Sequence, residues 1–471
     1  MTLTRRRFAS LHIRAFLLLS VLAAAAARTS AQTPPIAGRG ADHVILITID
    51  GFRPQVYLDA EREGVEVPNL KALLKAGSGA EGVVVAYPSM TYPSHTSIVT
   101  GVSPARHGII SNTQFDALNG SRAWFSENRA MKTPALWDVA KKHGLKTAGV
   151  SWPVTVGAAM DVLYPESNQA PQDSTWLVRA RKDSTPGLVD AVVNDLGGFG
   201  ERDNLDPIKR DRFAAAVATR IIRTEKPNLM VVHLMETDSA QHANGPGSPQ
   251  ARAAFERVDA HIGAIVQATE EAGIRSRTAF VITGDHGFSR VHALFQPNVI
   301  LREAGLLKTD ENGAVIEWQA VLHGMAVRVR NPAAPSLAER VINLFEKLER
   351  TRYKGLFRMV RRAELDERGA YPEALFFFEP AEGYYLSDGF AQNSFLIGTT
   401  RRGAHGFLPT EPRMFTGLIV SGAGVRAGVP LPSVRQIDIA PTVARLLGFE
   451  MPDADGVPLL GMIDTATVPR S

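Results

Sequence analysis

Thr91 stands in the stretch YPSMTYPSHTSIVTG, Tyr87 to Gly101, among hydroxyls, prolines and one histidine, with no lysine or arginine beside it. A threonine hydroxyl at neutral pH is a poor nucleophile unless a base or a cation activates it. Residue types that bind cations occur elsewhere. Asp50 ends an apolar run in HVILITIDGF. Asp238 and His242 lie in METDSAQHANGPG, at an i, i+4 spacing that puts both on one face of a helix. Asp285 and His286 follow the apolar run of VITGDHGF, and His405 lies in RRGAHGFLP. Taken singly, each has a bland alternative as a turn or a solvated loop. Together they are three carboxylates and three imidazoles in a chain without cysteine. That inventory suits two zinc ions, each with an open position. Two such ions brace the attacking and leaving oxygens of an in-line displacement at phosphorus, and a cation beside Thr91 lowers the pKa of its hydroxyl. A helix over PSHTSIVTG would turn its first N–H groups toward an anionic phosphate. Asn112, in HGIISNTQFD, is placed to give its amide to a non-bridging phosphate oxygen.

These residues need a scaffold, and the chain supplies a rhythm for one. HVILITIDGF, LKTAGVSW, PNLMVVHLMETD, RTAFVITGDHG and MFTGLIVSG are short apolar runs that read as strands. Helix-like segments alternate with them: TPALWDVAKKHG, RDRFAAAVATRIIRTEK, AAFERVDAHIGAIVQATEEAG and QIDIAPTVARLLG. Alternation of this kind predicts an α/β fold, a mostly parallel sheet with helices on both faces. In such sheets ligands bind beyond the carboxyl ends of the strands, where Asp50, Asp238, Asp285 and His286 fall. From Leu301 to Asp388 the rhythm breaks into a strand-rich segment, read as a small α+β lobe inserted between core parts at 42–300 and 389–471.

The first 31 residues read as an export signal: a basic start, an apolar run from Ala15 to Ala27, and a small-residue site ending at Ala31. The run is too short for a transmembrane helix, so no membrane span is expected in the mature chain. Arg5 and Arg6 fit a twin-arginine signal, with the general secretory route as the alternative. Residues 32–41 read as a linker. The mature protein is expected in the periplasm or secreted. The signal carries five arginines and no acid, so its removal takes the formal charge from +4 to −1. The sequence pI of about 9.2 is therefore no argument for nucleic-acid binding. Without cysteine the chain has no disulfides and must rely on a hydrophobic core.

The segments IDGFRP, YPSMTYPSHTSIVTGVSPARHGIISN, METDSAQHANGP, TGDHGF and AHGFLP occur in this order across nearly the whole mature chain. The set resembles the motifs of the nucleotide pyrophosphatases/phosphodiesterases of the alkaline phosphatase superfamily. The resemblance implies an alkaline phosphatase-like α/β/α sandwich and hydrolysis of phosphodiester or phosphoanhydride bonds, with a small-molecule phosphodiester or nucleotide as substrate. It implies that Asp50, Thr91, Asp285 and His286 surround one zinc and that Asp238, His242 and His405 bind the other. It implies a covalent phospho-threonine at Thr91, with Asn112 and the Tyr92 backbone N–H holding the phosphate. The family's aromatic stretch after the third strand is only partly kept, in SWPVTVGAAMDVLYPE. Tyr92, Trp152 and Tyr164 are the candidates to contact a base, with core packing as the competing reading of each.

Three other readings compete. Phosphomonoesterases of the superfamily need extra cations, and one known pattern, Lys-x-Arg near the strand after the nucleophile region, is missing from LKTAGVSWPVT; Arg122, Arg129 and Arg181 remain unplaced. Sulfatases need a convertible cysteine or serine, which the nucleophile motif does not supply. A non-catalytic exported binding protein on the same fold predicts lost ligands, yet every candidate is present. His95 and His107 are read as braces of the nucleophile loop. His43, His143, His233, His261, His292 and His323 are read as packing or surface groups, and Arg401 and Arg402 as a solvated pair able to attract an anion.

Overall fold

The computed structural model describes residues 40–115, 122–166, 176–311 and 314–464. The export signal expected over 1–31 lies outside the described residues, as does nearly all of the linker expected over 32–41. A nine-stranded sheet organises the rest. Its longer strands are β1 (His43–Ile49), β2 (Gly77–Val84), β3 (Thr147–Val150), β4 (Val162–Tyr164), β5 (Leu229–Leu234), β6 (Thr278–Thr283) and β7 (Thr416–Gly422). They lie in the order β2, β7, β6, β1, β5, β3, β4. β1 is parallel to both β5 and β6, and β3 to both β5 and β4. β7 runs antiparallel to β2 and β6.

The pleat of β1 explains why its sequence is apolar throughout. Successive side chains point to opposite faces, and both faces are covered. Ile45, Ile47 and Ile49 join one core with Phe213, Val217 and Ile221 of α4 (Pro207–Glu225) and Phe255, Val258 and Ile262 of α6 (Pro249–Glu271); α1 (Pro68–Lys75) adds Leu70 and Leu73. Val44 and Leu46 join the opposite core with Ile98 and Val99 of α2 (Thr91–Thr100), Leu136 and Trp137 of α3 (Leu136–Lys142) and Val443 and Leu446 of α7 (Ile439–Leu446). The remaining helix of interest, α5 (Glu236–Asn244), follows β5. Each aliphatic side chain fully buried in this way contributes about 1.5–3 kcal/mol.

One core strand has no sequence signature. β2 reads GSGAEGVV, and its glycines are there for backbone approach: a Cβ on Gly77 would lie 2.1 Å from Val420 O of β7. Outside the main sheet, Ala320–His323, Ala326–Val329, Phe357–Arg361 and Phe376–Pro380 form an antiparallel sheet. It packs with helix Pro335–Arg350 around its own cluster, which includes Phe345, Phe376 and Phe378. Ser289–Phe295 runs between Gly383–Leu386 and Leu396–Gly398, and its first residues pair with Gly403–Ala404. That last pairing sets the loop that carries His405.

Glu379 is buried where that second sheet meets the loop after His405, and its Oε2 accepts the Leu408 N–H at 2.9 Å. Burial raises its carboxyl to about 7, against the pull of the Leu408 N–H, Arg413 and Arg358. In the unfolded chain the group titrates near 4.5. The folded state therefore holds the extra proton between those values, and stability falls as pH rises through that window. Glu379→Gln keeps an acceptor for Leu408 and removes the charge. Its stability relative to wild type should improve by about 1–3 kcal/mol from pH 5 to pH 8. Urea unfolding at the two pH values checks this, and a constant difference would refute it.

Candidate active site

β1, β5 and β6 are neighbours, parallel, and end at one edge. Asp50 is the residue after β1, α5 brings Asp238 and His242 just after β5, and Asp285 and His286 follow β6. Thr91 is the first residue of α2, entered through an extended Met90. His405 arrives from the loop after Gly403–Ala404. Five stretches far apart in sequence thus converge, three of them because adjacent strands share one polarity.

The side chains form two linked groups. His286 Nε2 lies 3.4 Å from Thr91 Oγ1, 3.4 Å from Asp50 Oδ1 and 3.2 Å from Asp285 Oδ2. Asp238 Oδ1 lies 3.1 Å from His242 Nε2 and 3.7 Å from His405 Nε2. Asp238 also has a ligand atom within 4.8 Å of Asp50 and His286, so it stands between the groups. Donor atoms at about 2.0–2.1 Å from a tetrahedral ion are about 3.3 Å from one another, which is the spacing found here.

The hydrogen bonds around the rings point the same way. Nδ1 of His242 lies 2.8 Å from Gly403 O, that of His405 donates to Ser89 O at 2.9 Å, and that of His286 to Gly287 O at 3.2 Å. A carbonyl oxygen only accepts, so Nδ1 of His405 and of His286 carries the proton and Nε2 of each turns a lone pair inward, while His242 Nδ1 also has the donor-only Arg401 guanidinium 3.0 Å away. Asp285 Oδ1 accepts the N–H groups of Gly51 and His286, at 3.0 and 2.9 Å. Asp50 Oδ1, Asp238 Oδ1 and Asp285 Oδ2 are buried and accept no well-formed hydrogen bond. Orphaned carboxylate oxygens facing unprotonated imidazole nitrogens fit divalent cations.

The electrostatics agree. Burial, then the charges of Asp285 and Asp238, push Asp50 well above the usual carboxylate range, and burial raises Asp285 too. Burial drives His286 down to about 3 and His405 well below its ordinary value. Asp238 moves the other way: burial opposes its charge, but His242 and His405 outweigh it and hold the carboxyl low. Asp50 and Asp285, pushed up by burial and by the neighbouring carboxylates, make a crowded group whose negative charge cations would relieve.

Residues 44–394 match the family model described as type I phosphodiesterase / nucleotide pyrophosphatase. The chain belongs to this family, within the alkaline phosphatase superfamily. Human ectonucleotide pyrophosphatase/phosphodiesterase family member 1 is 27% identical over 266 residues, 55% of this chain but only 24% of that protein. Human family member 7 is 23% identical over 92% of this chain and 86% of its own length. Murine ectonucleotide pyrophosphatase/phosphodiesterase 5 superposes with a TM-score of 0.62 at 17% identity, covering 88% of this chain and 97% of that one. An inactive threonine-to-alanine form of that murine protein was solved in complex with AMP. The fold is accordingly alkaline phosphatase-like.

A cavity of about 630 Å³ opens over Thr91, Asp50, Asp238, His242 and His405, with Asn112, Tyr92 and Trp124 in its wall. Asn112 Oδ1 accepts the Tyr92 N–H at 2.9 Å, so that N–H is already engaged and the Asn112 NH₂ remains the donor for a bound oxyanion. Trp152 and Tyr164 are not part of this wall, which corrects their reading as base contacts. Trp152 is fully buried with its ring edge against His95, and Tyr164 packs on Phe213.

Tyr92 is itself almost wholly buried beneath Trp124, their centroids 5.2 Å apart. Trp124, which the sequence reading passed over, is the more accessible ring. His95 and His107 do brace α2: His95 Nδ1 bonds Thr91 O at 2.8 Å, and His107 Nε2 bonds Ser97 Oγ at 3.0 Å. His233 is no simple packing residue. It lies in the cavity wall with Glu166, 3.2 Å from Asp50 Oδ2. Of the unplaced arginines, Arg181 pairs with Asp190 and Arg129 with Glu127, while the side chain of Arg122 lies outside the described residues. The cations in the cavity wall are Arg210 and Arg401.

Proposed function

We propose that this chain is a two-metal phosphodiesterase/nucleotide pyrophosphatase, hydrolysing phosphodiester or phosphoanhydride bonds through a covalent phospho-threonine at Thr91. The observation that carries the reading is the position of Thr91 Oγ1, at the head of α2 and 3.4 Å from a histidine nitrogen that also faces two orphaned carboxylate oxygens. Asp50, Thr91, Asp285 and His286 would hold one ion, and Asp238, His242 and His405 a second, with zinc the ion best suited to this oxygen and nitrogen set. Bound there, the pair would supply Lewis acidity and neutralise developing charge.

The chain's own residues do the rest. Thr91 Oγ1 attacks phosphorus in line, the bond to the leaving oxygen breaks, and water later cleaves the phospho-threonine to release product and restore the hydroxyl. The Asn112 NH₂ donates to a non-bridging oxygen, and the N-terminal end of α2 adds partial positive charge. His95 fixes the start of α2 through Thr91 O and Thr48 Oγ1, both at 2.8 Å. A nucleotide is the favoured substrate class, supported by the family and by the AMP complex of the murine neighbour. We keep the division into core parts 42–300 and 389–471 around a lobe at 301–388. The sequence supports export to the periplasm or beyond, by either route. Among the described residues no helix is long and apolar enough to cross a membrane.

One observation favours a second reading, a phosphomonoesterase. Arg210 and Arg401 line the cavity, and extra cations suit the dianion of a monoester. The test is kcat/KM of zinc-loaded protein on the nitrophenyl ester of thymidine 5′-monophosphate and on nitrophenyl phosphate. The diester should be preferred by at least about tenfold. A monoester preference, lost in Arg210→Ala or Arg401→Ala, would establish the second reading instead.

A further inference from the structure

Asp50 has a second side that the cation group does not use. Its Oδ2 lies 3.2 Å from His233 Nε2. The other ring nitrogen, His233 Nδ1, lies 3.1 Å from Ser151 O and 3.4 Å from Glu166 Oε2. All of these side chains are buried, His233 to 1% exposure. A carbonyl oxygen and an ionised carboxylate only accept, so both ring nitrogens must donate if Asp50 is ionised to hold a cation. Glu166 is the buried carboxyl group beside the second ring nitrogen, so the ring is held between acceptors on both sides.

The surroundings hold this ring in one orientation. His233 packs against His95 with centroids 4.2 Å apart and ring planes tilted by 58°, and His95 in turn bonds the carbonyl of Thr91. Ser151 presents its carbonyl from a left-handed backbone, φ 51°, unfavourable for a residue with a side chain. Strain of this kind persists where the surrounding structure enforces it, commonly at functional sites. Space-filling does not explain the arrangement: a phenyl ring would fill the volume without taking Glu166 out of water, a step that costs several kcal/mol.

We infer that His233, backed by Glu166 and Ser151, is a positioning residue: it engages Asp50 Oδ2 so that Oδ1 alone is turned to the cation group, and it ties that carboxylate to the nucleophile helix through His95. The inference rests on the reading of Asp50 as a metal ligand. Outer partners of ligating carboxylates typically change metal affinity or activity by about 10–100-fold.

The experiment measures zinc affinity of the full chain by competition with a chromophoric chelator, alongside kcat and KM on the nitrophenyl diester and Tm of the metal-free protein. His233→Ala should weaken zinc binding by about 10–100-fold and lower kcat with KM nearly unchanged, and it should also lower the metal-free Tm because Asp50 and Glu166 lose a buried partner. His233→Gln, which restores one amide donor, should recover part of both losses, and Glu166→Gln should show a smaller loss of the same kind. Should His233→Ala fail to fold, the Gln variants decide alone. Unchanged zinc affinity in folded variants overturns the inference. A rise in KM with zinc affinity intact also overturns it, because it means direct contact with substrate. Wild-type protein that holds no zinc overturns the metal reading itself, and the inference with it.

Discussion

Thr91→Ala should lose turnover by roughly 10⁴-fold or more, the scale seen when a covalent nucleophile is deleted from a site whose other parts remain. The substitution removes one hydroxyl and one methyl. Thr91 is the first residue of α2, and its carbonyl, which anchors His95, is untouched. Thr91 caps nothing, since no side-chain cap bond starts this helix, and alanine has the higher helix propensity. Stability should therefore stay within about 1 kcal/mol. Thr91→Ser keeps the oxygen and should retain measurable activity. Rapid quenching of the wild type with a phosphorus-labelled diester should trap label on Thr91, and the alanine variant should trap none. A folded, zinc-loaded Thr91→Ala that still turns over the diester would remove Thr91 as nucleophile. Label recovered on another residue would do the same.

What could be read in advance follows from locality. Asp50, Asp238, Asp285 and His286 were legible because each lies within a few residues of an apolar run, and parallel topology sends such positions to one edge. Thr91 and His405 were legible from their motifs. β2 was not, because GSGAEGVV lacks the β-branched and aromatic residues that announce a strand; its glycines serve contact with β7. His233 was misread for a related reason. Within LMVVHL it looks like one polar residue in a buried strand, and its meaning comes from partners 183 and about 70 positions away. The register that pairs Thr48 with His233 sets the ring beside the end of β1, and no local pattern encodes that register. The aromatic wall failed in the same way. Trp152 was a candidate base contact but packs inward, as its competing reading had it, while Trp124 reaches the cavity from a short hairpin, Thr113–Phe115 with Arg122–Trp124.

Asp238→Asn should be the most damaging of the ligand substitutions, because Asp238 alone belongs to both groups. Its Oδ1 faces His242 and His405, and it also stands within ligand distance of Asp50 and His286. His242→Ala or His405→Ala removes a donor from one group and leaves Asp50, Asp285, His286 and Thr91 intact. Asp238→Asn removes the negative charge between the groups and places a neutral amide there. Both zinc equivalents should then bind at least about 100-fold more weakly, and kcat should fall by a comparable or larger factor. The loss should also appear in stability. Ligand at 100 times its dissociation constant stabilises the folded state by about 2.7 kcal/mol, so weakening of this size should erase most of the zinc-dependent rise in Tm. The metal-free protein should also lose some stability, because the favourable interaction of the Asp238 charge with His242 and His405 outweighs what opposes it, but that loss does not depend on zinc. Chelator competition and melting curves with and without zinc make the comparison. If Asp238→Asn weakens one equivalent only, as His242→Ala is expected to do, Asp238 is not shared. If neither equivalent changes, it is not a ligand.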